Sequence, residues 1–141
     1  MAEYTANALQ TVEENQNVLL TDAVVCGNNS IVHRDGSGLI TLRGITNCQC
    51  RARFRVSFGA NIAIPTGGTV EAISLAIAIN GEPVQTTTMI ETPAAVEEFS
   101  NVFSAIFIDV PANCCSQISV RNTSEQAIDV QNANLIVERV A

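Results

Sequence analysis

The chain contains no lysine and no tryptophan, and it has a single tyrosine, Tyr4, and a single histidine, His33. Its seven basic residues are all arginine and face fourteen acidic ones, giving a net charge of −7. A nucleic-acid-binding domain normally carries a basic footprint, and this chain has none. An anionic membrane surface offers a negative chain no attraction either. Neither nucleic acid nor membrane is therefore an expected partner. Charged residues make up 15% of the chain, against about 25% in ordinary soluble domains. With a mean hydropathy of +0.24, that shortage points to surface hidden in an oligomer. No apolar run approaches the roughly 18 residues of a membrane-spanning helix. The N-terminus, MAEYTANALQTVEENQN, has neither a basic n-region nor a long apolar h-region. Synthesis in the cytoplasm without a secretory signal is the expectation.

The residues that would carry chemistry are equally sparse. A nucleophilic site needs a base held at fixed spacing from Ser or Cys, and His33 stands alone between Val32 and Arg34. Glu97-Glu98 is an adjacent acidic pair, as is Glu13-Glu14 in the N-terminal stretch. Neighbours in a strand face opposite ways, so Glu97 and Glu98 cannot act as an acid/base couple. The turn PTGG, Pro65–Gly68, lacks the lysine and helix of a phosphate loop. Cys48-x-Cys50 and Cys114-Cys115 do not have the spacing of a structural zinc ribbon. The chain is expected not to be an enzyme, with no catalytic, cofactor-binding or metal-ligating residue and no cofactor.

What the sequence does contain is a series of short β-like runs. Residues 1–16 are polar with scattered small apolar side chains and suit an N-terminal arm or a frayed helix. After them come Val18–Val25, Ile31–Arg34 and Leu39–Gly44, separated by the turn compositions CGNNS and DGSG. Arg51–Ile64 has the cleanest alternation. Ala52, Phe54, Val56, Phe58, Ala60 and Ile62 fall on one face, and Arg51, Arg53, Arg55, Ser57 and Asn61 on the other. Glu97, Glu98 and Glu138 are candidate partners for the three arginines, the alternative being a solvated face. Val70–Ile79 leads into NGEP, whose Asn-Gly suits a type I′ hairpin. Thr-rich Val84–Thr92 returns as a partly exposed strand. Ser116–Asn122 and Ala127–Val140 close the chain as two further strands. Nine or ten strands with turns every 8–12 residues are the signature of a sandwich or barrel.

The remaining stretch, Glu97–Val110, is apolar on both faces from Val102 onward. Phe99, Phe103 and Phe107 share one face with Asn101 and Ala105; Val102, Ser104, Ile106, Ile108 and Val110 share the other. Phe99, Phe103 and Phe107 also sit at i, i+4 and i+8, so a buried helix is the alternative. The Ile/Val-rich end and the Pro111 stop favour a strand. A strand apolar on both faces needs cover on both, and a second copy of the chain would supply it.

Four pieces in order, Arg51–Ile64, LAIAINGEPV (Leu75–Val84), FIDVPANCCSQISVRNTS (Phe107–Ser124) and NANLIVERV (Asn132–Val140), resemble the globular jelly-roll domain shared by complement C1q and tumour necrosis factor. They look closest to its bacterial and bacteriophage versions, which include the C-terminal domain of spore-surface collagen-like glycoproteins and small phage- and prophage-encoded proteins. VPANCC departs from the Gly/Asp turn more usual there, and no Gly-X-Y stalk precedes the domain. The resemblance implies an all-β, ten-stranded jelly-roll β-sandwich over 17–141 that forms tight trimers about a threefold axis. Its inner sheet would hold Val18–Val25, Ala127–Val140, Arg51–Ile64 and Val96–Val110. Phe99, Phe103 and Phe107, or their opposite-face neighbours, would line the threefold interface, and Leu135 is a further candidate.

The same topology implies that the two cysteine loops meet at one end of the sandwich. Cys48 or Cys50 would then lie within about 7 Å of Cys114 or Cys115, close enough for a disulfide. A thiol cluster linking subunits and reduced thiols are the alternatives. The expected function is a non-enzymatic structural protein: a homotrimeric decoration or fibre module of a phage or prophage virion, in contact with capsid or other virion proteins. The alternative is a carbohydrate- or receptor-binding module on a cell, spore or tail-fibre surface.

Overall fold

In a computed structural model of the chain, residues 1–34, 36–46 and 50–141 are described. They form two six-stranded, antiparallel sheets packed as a sandwich. One sheet has the order β10 (Ser100–Pro111), β6 (Arg51–Ala63), β12 (Ile128–Arg139), β1 (Ala2–Ala6), β3 (Asp22–Val25), with β2 (Gln10–Val12) also beside β12. The other runs β4 (Ile31–His33), β5 (Ile40–Arg43), β11 (Cys115–Asn122), β7 (Ile73–Ile79), β8 (Glu82–Pro83), with β9 (Met89–Glu91) also beside β7. We call the first the phenylalanine sheet, after the residues on its outer face.

The alternation in β6 is realised in full: Ala52, Phe54, Val56, Phe58, Ala60 and Ile62 are all buried in the core. They meet Leu42, Ile73, Leu75, Ile77, Ile118 and Val120 of the opposite sheet in one apolar cluster. Burying a side chain of this kind stabilises by about 1.5–3 kcal/mol, so β6 anchors the sandwich. The Asn80-Gly81 turn is the expected type I′ hairpin, with φ of 52° and 86° and Ile79 paired to Glu82. Glu97–Val110 is not a helix: from Ser100 it pairs with β6 residue by residue, Ser100 against Ile62 through Pro111 against Arg51.

Four expectations need correction. Residues 1–16 are neither a loose arm nor a frayed helix. Ala2–Ala6 lies between β12 and β3, and Ala2, Tyr4 and Ala6 are buried. The following segment is pinned by Asn122, whose Nδ2 donates to the carbonyls of Val12 (3.0 Å), Glu13 (3.3 Å) and Gln126 (2.9 Å). The strand expected over Val18–Val25 is split between the sheets. Val18 donates its N–H to Val120 of β11 (2.8 Å), whereas Asp22–Val25 pairs with β1. The strand beside β12 is therefore Ala2–Ala6.

Val84–Thr92 is also not one strand. After Pro83 a 3-10 turn covers Gln85–Thr87. The buried Thr87 hydroxyl accepts the Ile77 N–H (3.0 Å) and lies 2.6 Å from the Val84 carbonyl. A side chain thus replaces the missing ladder partner.

β12 departs from a simple strand as well. Its pairing with β6 shifts between Gln131 and Asn134, and Asn132 has φ of 56°. This is a bulge, and one extra residue moves every later side chain to the other face. Before it Ile128 and Val130 are buried; after it Ala133, Leu135 and Val137 are. Leu135 is only 1% exposed and belongs to the hydrophobic core rather than to an exposed face.

Candidate functional site

The outer face of the phenylalanine sheet has three zones, each set by cross-strand register. At one end Asn101 opposes Asn61, and Asn61 opposes Gln131; Asn101 Nδ2 donates to Asn61 Oδ1 at 3.1 Å. In the middle Phe103 opposes Gly59, Ala105 opposes Ser57 and Phe107 opposes Arg55, with Ile136 on the far side of Ser57. At the other end Asp109 opposes Arg53.

Phe103 and Phe107 are 64% and 62% exposed, and Phe99, just ahead of the strand, 41%. Phe103 and Phe107 on one side of β10, with Phe99 exposed just ahead of it, form an apolar patch of the kind that marks an interaction surface. Of the two faces left open by the sequence, this is the solvent-facing one. Val102, Ile108 and Val110 turn inward and are buried. Beside the patch Arg55, Ser57, Phe103, Ile136 and Glu138 line a shallow cavity of about 260 Å³.

Asp109 closes the charged end. Its carboxylate takes a two-pronged contact from Arg53, with Nε at 2.7 Å and Nη2 at 3.1 Å, and Arg51 Nε lies 3.2 Å away. The Arg53 hydrogen bond, aided by the charges of both arginines, holds the Asp109 carboxyl below the usual carboxylate range. The same bond raises Arg53. Asp109 was not among the expected partners. Of those, Glu138 stands opposite Arg55, and Glu97 instead accepts a hydrogen bond from the Thr66 hydroxyl at 2.5 Å. The β6–β10 register was the signal that would have found Asp109.

The described cysteines, Cys26, Cys50, Cys114 and Cys115, are free thiols and exposed; Cys48 lies outside the described residues. The strand order brings Cys50 beside the turn that carries Cys114, because the Ala112 N–H donates to the Cys50 carbonyl at 2.9 Å. His33 packs against Tyr4, with ring centroids 4.4 Å apart. Its Nε2 lies 2.9 Å from the Ser37 carbonyl, which can only accept, so Nε2 carries the proton. Among the described residues no group of three or more His, Cys, Asp or Glu is placed to hold a metal ion.

No protein-family model matches the chain, and no curated protein matches it. Solved structures do match. The Eiger TNF of S. frugiperda superposes with a TM-score of 0.70 at 12% identity, over 99% of this chain and 91% of that one. The globular domain of zebrafish complement 1qA gives 0.60 at 10% identity, over 96% and 94%. The fold is a C1q/TNF-like jelly roll. Murine APRIL matches the same jelly roll with a TM-score of 0.62 at 7% identity, over 97% and 98%. At such identities the likeness concerns the jelly-roll fold alone.

Proposed function

We propose that this jelly roll is a non-enzymatic structural protein working as a homotrimer, a decoration or fibre module of a phage or prophage virion that contacts capsid or other virion proteins. The observation that carries the reading is the exposed pair Phe103 and Phe107 on the outer face of a sheet, with exposed Phe99 just ahead of the strand. Exposed as a monomer, such a patch invites non-specific association; covered by neighbouring copies, it becomes an interface core. Permanent oligomers commonly bury about 2,000 Å² or more in total, and β10, β6 and β12 together offer a surface suited to that. The sparse charge of the chain supports the same reading. The virion assignment rests on the sequence resemblance to phage-encoded versions of the fold.

Two measurements test it together. Particles of the encoding phage, purified to constant density, should carry the protein in fixed stoichiometry to the capsid subunit. A glycan array probed with the isolated protein should be blank. Absence from particles combined with saturable glycan binding would replace the structural reading with the carbohydrate-binding one.

A further inference from the structure

We propose that Cys50 and Cys114 form a thiol-exchange site that closes into a disulfide between the two sheets when it meets an anionic low-molecular-weight disulfide. The inference is independent of the virion reading. Cys50 immediately precedes β6 in one sheet, and Cys114 immediately precedes β11 in the other. Both residues lie one position outside their strands and are exposed, Cys50 in register with buried Ala52 and Phe54 and Cys114 with buried Ile118 and Val120. Cys115 has the opposite parity and pairs with Arg43 at the ladder's end.

The backbone holds the two loops together. Cys50 O accepts from Ala112 N (2.9 Å), Cys114 N donates to Pro111 O (3.0 Å) and Cys114 O accepts from Gly44 N (2.8 Å). A Cβ on Gly44 would collide with the Pro111 carbonyl oxygen, so only glycine permits this approach. Asn113, in the turn, has φ of 63°, the left-handed conformation that Asn tolerates.

The entry for a small molecule is also present. Cys114 and Cys115 line a cavity of about 380 Å³ together with Arg43, Gly44 and Thr46. The Arg43 guanidinium has no hydrogen-bond or ion-pair partner among the described residues, and it suits the carboxylates of a peptide-like disulfide. In the first step the Cys114 thiolate attacks one sulfur of the small disulfide. The S–S bond breaks, a mixed disulfide forms and one small thiol leaves. The Cys50 thiolate then attacks the Cys114 sulfur and expels the second small thiol. Two protein thiols are oxidised and one small disulfide is reduced to two thiols.

The probe is oxidised glutathione, added to the full chain under non-denaturing conditions, with intact mass and peptide mapping as readouts. The wild-type chain should lose two hydrogens in a Cys50–Cys114 link, leave Cys115 alkylatable and melt roughly 5–15 °C higher. Cys50→Ser should stop at a stable glutathione adduct on Cys114. Cys114→Ser should form no link, and Cys115→Ser should behave as wild type. A link through Cys115, Cys48 or a second chain overturns the proposal. So does a Cys50→Ser chain that acquires no adduct, or a wild-type chain that keeps five free thiols. All these thiols that the structure describes are exposed, so the serine variants should fold, and circular dichroism checks that they do.

Discussion

The Phe103 ring lies against Gly59: a Cβ built on that glycine would sit 3.6 Å from Phe103 Cδ2. That is ordinary van der Waals contact, so the site tolerates one methyl group and little more. Gly59 does not have positive φ, and adding a Cβ at a compatible position typically stabilises by about 0.4–1 kcal/mol through the unfolded chain. Gly59→Ala should therefore keep the oligomer and leave the melting temperature equal or slightly raised. Gly59→Leu should keep the fold but lift Phe103 and dissociate the subunits. Equal oligomer stability in both variants, measured by sedimentation, would show that the outer face does not form an interface.

Phe103→Asp separates fold from assembly. The side chain is mostly exposed in the single subunit, so a carboxylate there leaves the core intact. Buried in an interface without a partner it costs several kcal/mol, enough to weaken association about a thousandfold. The expected product is a folded chain of monomer mass with unchanged far-ultraviolet dichroism. A normal oligomer from this variant would place Phe103 outside the interface.

The bulge at Asn132 makes neighbours behave oppositely. Leu135→Ala empties a core position and should cost about 2–5 kcal/mol in chemical denaturation. Ile136, on the outer face beside Ser57, should respond differently: Ile136→Asp should disturb assembly with little effect on subunit folding. If Leu135→Ala were neutral and Ile136→Asp unfolded the chain, the register after the bulge would be off by one.

Asp109 should titrate below ordinary aspartates, since the Arg53 hydrogen bond favours its charged form. A carboxyl group lowered in the folded state contributes stability above its unfolded pKa and loses it as pH falls through the folded value. The group is solvent-exposed, so its effect on global stability is small, and carboxyl-carbon NMR is the suitable readout. Arg53→Gln should raise the Asp109 titration toward the ordinary value, with Arg51 at 3.2 Å retaining part of the effect. An unchanged titration in that variant would mean that Arg53 does not hold Asp109 in solution.

Sequence alternation was a reliable guide wherever one face was large and apolar. β6 could be read residue by residue because Phe54, Val56, Phe58 and Ile62 alternate with arginine and small polar residues. β1 escaped because its buried face pairs two small alanines, Ala2 and Ala6, with Tyr4, whose hydroxyl leaves it only weakly apolar, so the hydropathy signal is faint. The split of Val18–Val25 escaped for another reason: Val18, Leu20 and Val24 keep a common alternation while the backbone crosses from one sheet to the other. Leu135 was expected at an interface, but the bulge at Asn132 turns it into the core, and a bulge looks like any other residue in the sequence. The phenylalanine row on β10 was legible, but which of its two faces met the core depended on pairing with β6.

The most direct test of the account is the mass of the particle in solution. Multi-angle light scattering on the intact protein at micromolar concentration should give three times the 15.0 kDa subunit, unchanged on tenfold dilution. A stable mass of 15.0 kDa would leave Phe99, Phe103 and Phe107 uncovered and would contradict the central claim.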